Sequence, residues 1–227
     1  APTRELAKQV YGELRSMLGG LSYEAALILG GENFNDQVKA LRKYPRFIVA
    51  TPGRLADHLE HRSLFLDGVE TLILDEADRL LDIGFGDEIL AIADHCAGRH
   101  QTQFYSATLA NKKLRGLADK LLNEPKVIAL NHITDNHENI AQEIIFADDK
   151  AHKLQLLLWL LANQPYRQTV IFTNSKEQAD KLYGHLQHAE LHAGILHGDR
   201  DQRLRDSVMN KLRKGFVNIL IATDVAS

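Results

Sequence analysis

Short apolar runs alternate with longer amphipathic stretches along this chain. The runs rich in aliphatic residues predict strands at 23–30, 46–50, 70–75, 102–106 and 126–130, and again at 141–147, 168–173, 191–196 and 217–222. Several are apolar at nearly every position, as expected of strands covered by helices on both faces. Between them, helical spacing of apolar residues predicts helices over 3–18, 32–42, 53–60, 84–97, 109–121, 149–163, 176–189 and 200–214. The stripe Leu154, Leu157, Leu158 and Leu161 reads as core. Gly19 and Gly20 follow the first helix, where a left-handed cap suits glycine, and Ser175 with Gln178 reads as a capping box. Strand followed by helix, repeated, predicts an α/β fold with parallel sheets. The segment "NHITDNHEN" at 131–139 has neither period and reads as a linker between domains at 1–130 and 140–227. No low-complexity tract or internal repeat appears, although both halves run strand-helix-strand.

Composition narrows the possibilities. The 227 residues suffice for one large domain or two moderate ones, and 44 % apolar with 25 % charged residues is ordinary for a folded soluble protein. A net charge of -3 excludes a global basic field, so a nucleic-acid partner would need a local patch. The single cysteine, Cys96, excludes an internal disulfide and suits a reducing compartment, hence a cytoplasmic location. The greasiest stretch, 154–162, is too short to span a membrane, and no signal peptide is visible. The chain opens on "APTREL" without an initiator Met and stops at "IATDVAS", so both ends are expected to be cut. Eleven histidines are present, among them His132 and His137 in the linker and His185 and His188 one helical turn apart. None has zinc-site spacing with a cysteine, and they read as surface or packing residues.

The chemistry concentrates in "TLILDEADRLLD" at 71–82. Asp75, Glu76 and Asp78 crowd the carboxyl end of an apolar strand, where open α/β sheets bind ligands. Acids can favour a following helix N-terminus, which is the plain structural reading. They can also hold Mg²⁺, which keeps most of its waters and takes only one or two carboxylates.

Together with its neighbours, "LDEADRLLDIGF" at 74–85 resembles the signature of DEAD-box RNA helicases of superfamily 2. "APTRELA" at 1–7, "GG" at 30–31, "VATPGRL" at 49–55, "SAT" at 106–108, "IFTNS" at 171–175, "HGDRDQRLR" at 197–205 and "IATDVAS" at 221–227 match that family in its order. The resemblance covers essentially the whole chain. It implies two RecA-like parallel-sheet domains that close over ATP and single-stranded RNA. By position it implies Asp75 as the holder of Mg²⁺ through water, Glu76 as the residue orienting the attacking water, and Asp224 at the ribose of the nucleotide. Asp78, Ser106 and Thr108 are implied to couple the nucleotide to the RNA.

For RNA, the resemblance implies Pro2, Thr3, Arg4, Gly30, Gly31, Thr51, Pro52, Gly53 and Arg54 in the first domain. In the second it implies Thr173, Asn174, Gly198, Gln202, Arg205 and Thr223. The residue chemistry agrees in part. Arg4 beside a helix N-terminus suits phosphate oxygens, Gly30 and Gly31 allow close backbone approach, and Gln202 and Arg205 share a helix face. Arg200, Arg203, Arg213 and Lys214 read as a solvated helix surface. Contacts are expected mainly at the sugar-phosphate backbone, with ribonucleoprotein or ribosome-assembly partners in prospect.

The match also lacks parts. No G-x-x-x-x-G-K-[ST] loop to grip the β and γ phosphates occurs, and "IATDVAS" stops before the family's arginine-rich H-R-x-G-R-x-G-R element. Such arginines are worth roughly 10³ to 10⁵ in rate in related phosphoryl transfers. The expectation is therefore an ATP-dependent RNA helicase whose 227-residue piece is inactive by itself, with both RecA-like domains incomplete. In the family the P-loop strand runs through the middle of the first sheet. Its absence predicts unpaired inner strand edges and poor solubility. Other readings are an ATP-gated RNA clamp or assembly scaffold, a non-catalytic RNA-binding remnant, and, less in keeping with the motif set, a DNA helicase.

Overall fold

The computed structural model describes residues 1–108, 111–129 and 140–223. The chain divides into two compact units, Ala1–Asp135 and Asn136–Ser227. The first unit begins with α1 (Arg4–Met17), capped by Thr3, whose hydroxyl accepts the Leu6 N–H at 3.2 Å. Then come β1 (Ala25–Ile28), α2 (Phe34–Leu41), β2 (Phe47–Ala50), α3 (Pro52–Glu60) and β3 (Thr71–Leu74). The unit continues with α4 (Ala77–Ile83), α5 (Gly86–His95), β4 (Gln101–Phe104) and α6 (Lys112–Leu121). Pro52 at the start of α3 supplies a preset φ where its missing N–H is harmless.

Strand pairing in the first unit is parallel but split. β1 pairs with β2, Ala25 opposite Phe47, and β3 pairs with β4, Thr71 opposite Gln101. These are two separate two-stranded sheets. Ala26, Ile28 and Leu41 form the core behind the first. Leu74, Ala77, Leu80, Ile89, Leu114 and Leu117 form the core behind the second.

The second unit holds α7 (Lys150–Asn163), β5 (Thr169–Thr173), α8 (Lys176–His188), β6 (Ala193–Leu196), α9 (Gln202–Arg213) and β7 (Ile219–Thr223). Its sheet is parallel with order β5-β7-β6. β7 is the central strand and β6 lies at the edge of these three, yet both are buried at every position, in keeping with their almost wholly apolar sequences. Leu161, Ala179, Leu186, Ile195 and Ile221 make the main core; of the stripe on α7, Leu157 and Leu158 pack partly buried against it, and Leu154 is half-buried outside it. Ser175 caps α8, its hydroxyl accepting the Gln178 N–H at 3.3 Å.

Three sequence expectations need correction. The segments 126–129 and 141–147 form no strand. Val127 and Ile128 are each 70 % exposed, and Ile144 and Phe146 are 83 % and 86 % exposed. An apolar run becomes a strand only where a neighbour accepts its backbone hydrogen bonds, and among the described residues none does. Third, the single helix expected over 84–97 is preceded by a separate short helix, α4. Gly84 ends it with φ of 104°, and α5 starts afresh at Gly86. Elsewhere the boundaries agree within a few residues, which is the ordinary fraying of helix ends. The expected linker, 131–139, lies outside the described residues, as does Leu130. No described helix is long and apolar enough to cross a membrane.

Candidate functional site

The acid cluster sits on the turn from β3 to α4. Leu74 ends the strand, and Glu76 takes a left-handed backbone conformation, φ 48° and ψ 53°. Such a conformation is uncommon for a residue with a Cβ and marks a strained, purposeful turn. The Asp75 carboxylate supports it, Oδ1 accepting the Glu76 N–H at 3.0 Å. Two backbone bonds of 2.9 Å lock the turn to the end of β4: Ala77 N–H to Tyr105 O, and Tyr105 N–H to Leu74 O. The Glu76 side chain points outward, 43 % exposed, with the Arg79 guanidinium 3.8 Å from its Oε2. Arg79 thus places a positive charge beside the acids, one helical turn along α4, which the sequence reading did not single out.

Asp78 faces β4. Thr108 Oγ1 donates to Asp78 Oδ2 at 2.6 Å, and the Arg79 N–H donates to Oδ1 at 3.0 Å. Ser106 and Thr108 are bound to each other, the Thr108 N–H donating to Ser106 Oγ at 3.2 Å. Burial acts to raise the Asp78 carboxyl. Hydrogen bonds from Thr108, Ser106 and the backbone outweigh it and hold the group below the ordinary carboxylate range. The three residues expected to work together are therefore in one hydrogen-bonded cluster.

Magnesium is the cation that the resemblance implies. Among the described residues no three or more His, Cys, Asp or Glu side chains gather as a metal cage. A cation held largely by its own waters needs none. Asp75 Oδ1 accepts the bond that holds the turn, which leaves Oδ2 as the oxygen that would meet a water of the ion. The donor set fits a water-mediated Mg²⁺ at Asp75.

A second cluster gathers around the carboxyl ends of β1 and β2. The Ala1 nitrogen donates to Ala50 O at 2.9 Å, fixing Pro2 and Thr3 beside β2. The Arg4 guanidinium lies against the turn after β1. Gly31 has φ of 77°, a backbone that favours glycine, and a Cβ there would fall 2.8 Å from Arg4 Nη1, so the guanidinium would have to move aside. Lys8 reaches Glu32 at 3.3 Å, a further link from α1 to this turn. Thr51 is buried and its N–H donates to Ile28 O at 3.1 Å, bringing the start of α3 beside the end of β1. Gly53 lies against Phe85, 3.7 Å from ring to would-be Cβ, and ties this cluster to the β3 side of the unit. Arg54 is mostly buried, 5.7 Å above the Phe34 ring and 3.6 Å from Asp57. "PTRE", "GG" and "TPGR", widely spaced in sequence, thus converge.

In the second unit the expected residues also cluster at strand ends. Thr173 pairs with Thr223 across β5 and β7, and its hydroxyl donates to Ser175 O at 3.2 Å. Asn174 and Gly198 are exposed, whereas Thr223 and Arg205 are buried. Gln202 donates to Asp206 at 3.1 Å within α9. Asp224 lies outside the described residues. Beside this set is a charged knot that corrects the reading of Arg200 as solvated helix surface, since Arg200 precedes α9 and is bound to other side chains. Arg200 donates to Asp180 at 2.6 Å and to His197 Nε2 at 3.2 Å, and Lys176 donates to Asp199. It pins the "HGDR" turn after β6 to the first turns of α8. Its one sequence signal was acids and bases alternating directly after an apolar strand.

Parallel strands here present acids, glycines, hydroxyls and arginines at their carboxyl ends, the place where open α/β sheets bind ligands. The family model for DEAD/DEAH box helicases matches residues 1–117, and that for the helicase conserved C-terminal domain matches 149–227. The chain belongs to the DEAD/DEAH box helicase family. It is 37 % identical over 227 residues to the DEAD-box ATP-dependent RNA helicase CshA of Geobacillus kaustophilus, covering all of this chain and 48 % of that protein. It is 35 % identical over 226 residues to the ATP-dependent RNA helicase SrmB of Escherichia coli, covering all of this chain and 51 % of that protein. The chain therefore spans about half the length of the curated relatives it matches. Among solved structures, S. cerevisiae Dbp5 bound to RNA and ADP BeF3 superposes with a TM-score of 0.85 at 26 % identity, over 99 % of this chain and 56 % of that one. A DEAD box protein from the hyperthermophile Methanococcus jannaschii gives 0.54 at 33 % identity, over 99 % and 60 %.

Proposed function

We propose that the full-length protein is an RNA-dependent ATPase that separates short RNA duplexes, and that this chain carries its acid turn and most of its RNA grip. The observation that carries the reading is the Asp75–Glu76–Asp78 turn, joined through the 2.6 Å bond from Thr108 to the end of β4. Asp75 would hold Mg²⁺ through water, and when bound the ion would neutralise charge on the nucleotide phosphates. Glu76, exposed and turned outward by its left-handed backbone, would orient the attacking water. Asp78, Ser106 and Thr108 would report the state of the acid turn to the RNA side, and Asp224 would meet the ribose.

Arg4, Gly30, Gly31, Thr51, Gly53 and Arg54 would follow the sugar-phosphate backbone on the first unit. Thr173, Asn174, Gly198, Gln202, Arg205 and Thr223 would do so on the second. Contacts of that kind give little base specificity, with the 2′-OH distinguishing RNA from DNA. The names of the matched helicases and the RNA and ADP BeF3 in the Dbp5 structure support the choice of ligands. A cytoplasmic site of action, in ribonucleoprotein or ribosome assembly, accords with this chemistry.

Displacement of a short labelled RNA duplex by the full-length protein tests the reading. ATP-dependent strand release is the expected result. Turnover of ATP without strand release would instead favour an RNA clamp or assembly scaffold.

A further inference from the structure

Among the described residues His58 is the one histidine that is fully buried, and it has no role on the nucleotide or RNA side in the reading above. It lies on α3, four residues after Arg54. Its Nε2 is 3.1 Å from Gln37 Oε1, and its Nδ1 is 2.7 Å from Ser63 Oγ. Gln37, itself 5 % exposed, passes the connection on, its Nε2 donating to Leu29 O at 2.8 Å. Leu29 directly precedes Gly30 and Gly31. The Phe34 ring stacks on the imidazole, centroids 4.1 Å apart at 7°, and the same ring meets the Arg54 guanidinium at 5.7 Å.

Gln37 spends its amide N–H on Leu29 O, so its Oε1 accepts from His58 Nε2–H. In the neutral ring that carries this proton, Nδ1 is an acceptor 2.7 Å from Ser63 Oγ, whose hydroxyl also donates to His58 O at 3.0 Å. Burial first, and the Arg54 charge second, lower the His58 pKa and favour that neutral form. Asp57 acts in the opposite direction and His61 in the same one.

We propose that His58 is a positioning residue: through Gln37 and Phe34 it sets the Leu29–Gly31 turn and Arg54 relative to one another. The inference rests on the proposed RNA grip, because those two elements are the ones it aligns. A buried polar chain suits the task better than an apolar contact, since each bond fixes a direction as well as a distance. Breaking the chain would leave Gln37 Oε1 buried without a donor and free the turn to shift.

The test uses the full-length protein with two substitutions and reads ATP turnover against RNA concentration. His58→Phe keeps the stack on Phe34 but removes both hydrogen bonds. His58→Gln places an amide near the former Nε2, where it can still donate to Gln37. The expected result is an RNA KM raised about tenfold in His58→Phe, with kcat at saturating RNA within twofold, and an RNA KM near wild type in His58→Gln; tenfold corresponds to about 1.4 kcal/mol. A purely structural role would lower kcat through a smaller folded fraction and leave the RNA KM unchanged, which would overturn the proposal. So would an equal rise in KM in both variants. Wild-type turnover that ignores RNA would overturn the functional reading, and this inference with it.

Discussion

Single residues carry strain and charge here in ways that can be measured. Gly31 has φ of 77° and the Arg4 guanidinium where a Cβ would sit. Gly31→Ala is expected to lower stability by about 1–2 kcal/mol, because an L-residue resists that backbone. It should also displace Arg4, and a combined drop in thermal midpoint and RNA affinity would confirm both effects. Asp78 is a titration case. Its folded pKa is depressed, so its contribution to stability is present above its unfolded pKa and is lost as pH falls through the folded one. Thr108→Val removes the 2.6 Å donor and should be destabilising at neutral pH. The difference from wild type should shrink as pH falls from the ordinary carboxylate value, about 4, down through the depressed folded one, below which the carboxyl is protonated in both. A stability gap that stays constant from pH 7 to pH 3 would argue against the bond. The candidate residues could be named in sequence because they fall in the family's ordered motifs, and those of the first unit gather at strand ends. Arg79, His58 and the Arg200–Asp180 pair were not legible there, because their meaning comes from partners distant in sequence or from helix phase.

Elements follow from patterning only where a neighbour completes them. β6 and β7 could be read from composition, since a strand buried on both faces must be apolar throughout. The runs at 126–130 and 141–147 carry the same composition, yet their described residues pair with no strand and expose Ile144 and Phe146. Sequence reports what a segment could bury, not whether a partner lies beside it. α4 escaped notice for another reason. Its two turns begin at a left-handed Glu76, which no helix-start signal anticipates. Helix-on-sheet packing gives a test at this scale. A Cβ at Gly194 in β6 would meet Val208 of α9 at 2.6 Å. Gly194→Ala should force α9 outward, with overpacking losses of about 1–3 kcal/mol. A paired Gly194→Ala and Val208→Ala variant should recover much of that loss, and failure to do so would show that the contact is not the cause.

At the scale of the whole chain, the split sheets of the first unit matter most. Each two-stranded sheet leaves open edges, and pairs of strands in isolation are only marginally stable in water. The exposed Ile144 and Phe146 add apolar surface in the second unit. The 227-residue chain by itself is expected to elute as aggregates rather than as a monomer. A monodisperse monomer with a cooperative melt would contradict that expectation.

The central claim is that the acid turn hydrolyses ATP in response to RNA. It is tested most directly by titrating single-stranded RNA into the full-length protein while following phosphate release, for wild type and for Glu76→Gln. Wild-type turnover is expected to rise saturably with RNA. Glu76→Gln is expected to retain RNA binding with turnover reduced about a hundredfold or more, on the scale of losing a positioned acid or base. Turnover that ignores RNA, or a Glu76→Gln protein that hydrolyses ATP at the wild-type rate, would contradict it.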